Sequence, residues 1–95
     1  MRSELEIPPG ATTDPKVVEL VRVWAAHGEQ HAVLHVSAWG EDPSAWGILL
    51  VDLARHVARA HRDLYGTSEP DTLSRIRELF DAEWARPTDL GSRLN

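Results

Sequence analysis

The sequence predicts a small α+β domain dominated by helices, and three observations carry that reading. Three stretches place apolar residues three and four apart, the mark of an amphipathic helix. One run, Gln30-His31-Ala32-Val33-Leu34-His35-Val36-Ser37, instead alternates with a period of two, as a half-buried strand does. Start and stop signals fall where the pattern changes: Asp14-Pro15, Asp42-Pro43 and Ser68-Glu69-Pro70-Asp71 open segments, while Gly28, Gly66 and Arg86-Pro87 close them. The predicted order is a weak N-terminal strand or arm, a helix, a strand, a long helix and a shorter helix.

Each element has its own justification. Residues 3–7 alternate, with Leu5 and Ile7 opposite Glu4 and Glu6, until Pro8-Pro9-Gly10 ends the run. An edge strand and an extended arm fit this stretch equally. Asp14 is placed to cap a first helix over 15–27, with Pro15 at its first position and Val17, Leu20, Val21 and Trp24 on one face. The strand 30–37 has only the weak arm to pair with inside the chain. Its backbone groups need a partner, which points to the same strand of a second copy and hence to a homodimer. The long helix follows, with Trp46, Leu49, Leu50, Leu53, Val57, Ala60, His61 and Leu64 as its stripe. Gly47 in its second turn costs roughly 1 kcal/mol of helix propensity relative to alanine, which a close backbone approach would offset. In the third helix Leu73, Ile76, Phe80 and Trp84 continue the core-facing spacing. The expected core joins the first and third helices to the long one.

Length and composition set limits. The 95 residues make a single small domain, 1–95, with residues 1–13 as an N-terminal arm and 88–95 as a C-terminal tail. A chain this short removes only roughly 60–65% of its unfolded surface from water, so a dimer interface would add useful burial. Hydrophobic content of 42% places it well away from disorder. A net charge of −5 argues against nucleic acid, because phosphate attraction needs a basic face. With no cysteine, disulfides, thiolate metal sites and cysteine nucleophiles are excluded. The opening MRSELEIPPG lacks the apolar centre of a signal peptide, and no run reaches the ~18 apolar residues of a membrane span. A cytoplasmic protein without membrane association is expected.

The motifs Val23-Trp24-Ala25-Ala26, Gly28, Gln30-His31, Trp39, Asp42-Pro43, Trp46-Gly47 and Asp52-Leu53-Ala54-Arg55-His56 together carry a resemblance. So do Phe80-Asp81-x-Glu83-Trp84 and Pro87-Thr88-Asp89. Over nearly its whole length the chain resembles a family of short, uncharacterised proteobacterial proteins classed as a domain of unknown function. The resemblance implies a self-contained domain in a bacterial cytoplasm, and it brings no activity, cofactor or catalytic residue.

Candidate sites are few. His27, His31 and His35 are spaced four apart, but on a strand His31 and His35 stand roughly 13 Å apart, too far to share one ion. In a two-fold ribbon centred on Val33 each would face the other's copy, giving paired histidines for a metal or a pH response. The plainer reading is a solvated polar sheet face. Trp39 and Trp46 flank the start of the long helix, either as core anchors or as the walls of a small ligand pocket. Arg55, Arg59 and Arg62 line the far side of that helix, as an anion site or as a solvated face paired with local carboxylates. Asp52 and His56 lie one turn apart, the spacing of an acid–base dyad, yet nothing completes a catalytic set. Ile48 and Val51 point away from the main stripe and, with Val33, are the expected interface residues.

The function that follows is a non-catalytic, homodimeric protein-interaction or structural module. The alternative is a small-ligand, anion or metal-binding protein using the Trp/His-rich strand and the start of the long helix. No catalytic residue is assigned and no cofactor is expected. An enzyme would rest on Asp52, His56 and the strand histidines alone.

Overall fold

Four valines at positions 17, 18, 21 and 23 crowd the stretch expected to form the first helix. Branched at Cβ, they lose side-chain freedom in a helix and suit a pleated strand. In the computed structural model, which describes residues 4–88, the later part of this segment, from Val21, is a strand, and residues 17–20 lead into it without regular structure. Strand β1 (Val21–Ala26) pairs antiparallel with β2 (Glu29–Leu34). Between them His27 and Gly28 have φ of 54° and 73°, the two left-handed residues of a type I′ turn. The register sets Val21 opposite Leu34, Val23 opposite Ala32 and Trp24 opposite His31. The expected helix over 15–27 is therefore corrected to a hairpin arm. Its 3–4 spacing of Val17, Leu20, Val21 and Trp24 coexists with a period-two pattern, and pairing to β2 decides between them.

That correction removes one argument made from sequence. β2 has its partner inside the chain, so the strand does not need a second copy to satisfy its ladder. Other expectations near the N-terminus also change. Residues 4–8 form no strand, and a short helix, α1 (Pro9–Thr13), occupies the Pro-Gly turn. β2 ends at Leu34 rather than Ser37, because Val36–Trp39 turns into a 3-10 helix.

The second half follows its sequence signals closely. Helix α2 runs Ser44–Tyr65 and stops at Gly66, whose φ of 71° is left-handed as a C-cap requires. Helix α3 runs Glu69–Ala85, with the Ser68 hydroxyl accepting the Asp71 N–H at 3.3 Å. Joined by three residues, the two helices form an antiparallel pair. Arg62 near the end of α2 is paired with Glu69 at the start of α3. The domain is α+β and helix-dominated, in the order strand, strand, helix, helix after the short α1. The expected tail 88–95 lies outside the described residues, apart from Thr88.

Packing concentrates within each half. β1 contacts β2 and α2 contacts α3, with no comparable interface between hairpin and helices among the described residues. Ala58, at the crossing of the helices, is the one fully buried apolar residue of that set. The expected core of Leu50, Leu53 and Val57 is left about half exposed. The cause is direct: the first helix that was to cover the stripe is a strand, and α3 covers one flank only.

Candidate functional site

Helical geometry explains what α2 leaves uncovered. Asp52, His56, Arg59 and Asp63 recur at intervals of four, three and four, forming one narrow polar strip. Arg55 and Arg62 widen this polar side, while the opposite side, from Leu53 through Leu50 to Ala58, is apolar and suited to packing. α3 approaches the side bearing the small residues Ala54 and Ala58. Towards the N-terminal end of α2 and the C-terminal end of α3 the two helices leave an open groove. Trp46, Gly47, Leu50 and Val51 line it from α2, and Leu73, Ile76, Phe80 and Trp84 from α3. Its volume is about 830 Å³. Arg55, Arg77 and Asp81 stand among its polar residues, with Arg77 Nε donating to Asp81 Oδ1 at 2.9 Å. Phe80 and Trp84 stack with centroids 5.6 Å apart and planes inclined by 22°. Trp84 is nevertheless 78% exposed.

The residues singled out from sequence are distributed around this groove rather than gathered in it. Trp39 and Trp46 do pack together, edge to face at 5.0 Å, anchoring the 3-10 turn to α2. Only Trp46 of that pair lines the groove. His31 is half-buried on β2 opposite Trp24, and His35 follows the strand with its N–H donating to Leu20 at 2.9 Å. A smaller depression on the hairpin is lined in part by Trp24, Val33 and His35. Among the described residues no three histidine or carboxylate side chains gather as a metal set.

The arginines also have distinct surroundings. Arg62 binds Asp63 and Glu69, whose carboxylates raise its affinity for the proton above the ordinary guanidinium value. Arg59 Nη2 lies 3.3 Å from His56 Nδ1, while Asp52 makes no hydrogen bond to that histidine. Arg55 alone of the three reaches the groove. Of the expected interface residues, Val51 is 52% exposed in the groove wall, and Ile48 (67%) and Val33 (63%) are exposed outside it.

Sequence reasoning missed the groove because it assigned Leu50, Leu73, Ile76, Phe80 and Trp84 to a closed core. The legible hint was Gly47, a helix-weakening residue in the middle of an apolar face. A Cβ placed there would meet nothing within 4 Å. The close approach expected to explain this glycine is not supplied by its own chain.

Fold and groove together define a small helix-dominated α+β domain whose helical pair has an uncovered apolar face. The chain belongs to the family described as Domain of unknown function (DUF5076), whose family model matches residues 4–88. It is also similar to a solved structure described as a "putative pyruvate dehydrogenase from the photosynthetic bacterium Rhodopseudomonas palustrus CGA009". The two share 34% identity and superpose with a TM-score of 0.72, over 97% of this chain and 93% of the other. No curated protein matches the chain. Among the described residues, no helix is long and apolar enough to cross a membrane.

Proposed function

We propose that the protein is a non-catalytic interaction module that works as a homodimer. The observation that supports this most is area. A folded monomer of 10.6 kDa exposes about 5,500 Å² by the usual scaling with mass, whereas this chain exposes 8567 Å². Its radius of gyration of 15.5 Å likewise exceeds the about 12 Å expected for a compact chain of this length. The excess of about 3,000 Å² compares with the roughly 1,000–2,500 Å² that each subunit of an obligate dimer buries. A partner is the ordinary way to cover exposed apolar side chains such as Ile48, Leu50, Val51 and Trp84.

An unpaired strand no longer calls for a second copy; uncovered helices do. The description of the Rhodopseudomonas relative belongs to that protein. Here the groove offers hydrophobic contact and a charged rim, which suit recognition. Light scattering at micromolar concentration tests the proposal. A mass of about twice 10.6 kDa is expected, and a mass of one chain under those conditions would rule the dimer out.

A second reading, an apolar small molecule held in the groove, is favoured by its volume of about 830 Å³. Ligand pockets commonly measure about 300–1,000 Å³. A compound that raised the melting temperature while dissociating the dimer would favour it over the first.

A further inference from the structure

Knob and hole lie on the same surface of this chain. The hole is at Gly47, where the groove passes over bare helix backbone and a Cβ would meet nothing within 4 Å. Glycine weakens a helix at such a position, and intrachain packing gives no reason for it. The knob is Trp84 on the opposite wall, held by its stack on Phe80 and still largely open to solvent. Two-fold contacts use one patch on both subunits, so the patch must carry both a projection and its receptor. This one does.

We propose that the groove is filled by the same region of a second copy, with Trp84 of each chain seated over Gly47 of the other. The inference rests on the dimer reading and adds which surfaces meet. Two further observations single out a second copy as occupant. The excess exposed area of the chain is large enough to accommodate a stable self-contact, and the α2 flank bearing Leu50, Leu53 and Val57 is apolar and about half exposed. The polar residues at the groove include Arg55, Arg77 and Asp81, a mixture of signs that avoids the repulsion a single-sign patch would meet on facing itself. A tryptophan reaching a concave apolar floor is also the kind of anchor that dominates interface energies.

The test is a dilution series followed by light scattering on wild type, Trp84→Ala, Gly47→Leu and Val33→Glu, the last an exposed hairpin site outside the groove. Wild type is expected to be dimeric, with its dissociation constant raised at least about tenfold by Trp84→Ala and by Gly47→Leu, and unchanged by Val33→Glu. Gly47→Leu guards against misfolding as an explanation. Leucine favours the helix and its Cβ has open space, so far-UV circular dichroism should show undiminished helicity. A monomeric wild type would overturn both this inference and the dimer. A dimer insensitive to Trp84→Ala or to Gly47→Leu would overturn the seating alone. Loss of the dimer with Val33→Glu would also overturn it, moving the interface to the hairpin.

Discussion

In β1 and β2 the hydrogen-bond ladder between the strands does the holding, whereas α2 and α3 make their backbone bonds internally and meet through side chains. The two halves consequently tolerate exposure differently. A two-stranded hairpin keeps its register through its turn and ladder, although alone it is only marginally stable in water. A helical pair without a filled interface has little to fix its spacing. Here that spacing is set at Ala58, where the helices touch, and is undetermined by packing at the groove end, where Trp84 and Gly47 stand apart. The difference explains why the uncovered surface on the helices, rather than the strand edge, is the place to expect a partner.

Ala58→Leu is expected to have the largest effect on the helical half. It adds bulk at the one fully buried apolar position among the described residues, and such overpacking costs about 1–3 kcal/mol. Chemical denaturation followed by helical circular dichroism should show the midpoint fall. An unchanged midpoint would mean that Ala58 does not set the helix spacing, and the contrast drawn above would fail.

Gly28→Val probes the other half. At φ of 73° a β-branched residue is strained by about 1–2 kcal/mol, and the strain falls on the hairpin turn. Cross-strand nuclear Overhauser contacts such as Trp24 to His31 should weaken while helical circular dichroism holds. If the helices unfolded together with the hairpin, the two halves would be one cooperative unit rather than separately held parts.

How much of this was legible beforehand also divides along the same line. α2 and α3 were readable because their punctuation is local: Asp42-Pro43, Gly66, Ser68 and Arg86-Pro87 act within a turn of where they stand. The family resemblance was legible too, through motifs spread along the chain. β1 was not, because Val17, Leu20, Val21 and Trp24 satisfy a helical period by coincidence. Gly28 served equally as a helix stop and as half of a hairpin turn. The valines were the signal that tips the balance, together with a His-Gly pair between two alternating runs. The groove was hidden for a different reason. Periodicity says which residues are apolar and not whether the chain itself covers them. Of the site, the sequence marks out Val51, Trp46 and Gly47, while the spacing of Phe80 and Trp84 reads as ordinary core.

The finest contrast lies between the two Asp-Pro pairs. Asp14 Oδ1 accepts the Lys16 N–H at 2.8 Å and Asp42 Oδ1 accepts the Ser44 N–H at 3.0 Å, the same local turn in both places. Only the second leads into a helix, where Trp46 packs on the Trp39 ring and Leu50 faces the groove with α3, while Val21 and Val23, which follow the first, pair with β2. The Asp42 carboxylate in the turn that leads into α2 should matter to the fold in proportion to its charge. Hydrogen bonds from the Ser44 backbone and then its side chain hold the Asp42 carboxyl below the usual carboxylate range. Since the folded value lies below the unfolded one, the stabilisation is present above the unfolded value and declines as pH falls through it toward the folded value. Asp42 is fully exposed, so the effect is small. Comparing wild type with Asp42→Asn in thermal melts from neutral pH down to about pH 3 should show wild type modestly more stable at neutral pH, with the gap closing through the acid range. A gap independent of pH would assign the turn's contribution to hydrogen-bond geometry alone, and Asp42 would then be no different in kind from Asp14.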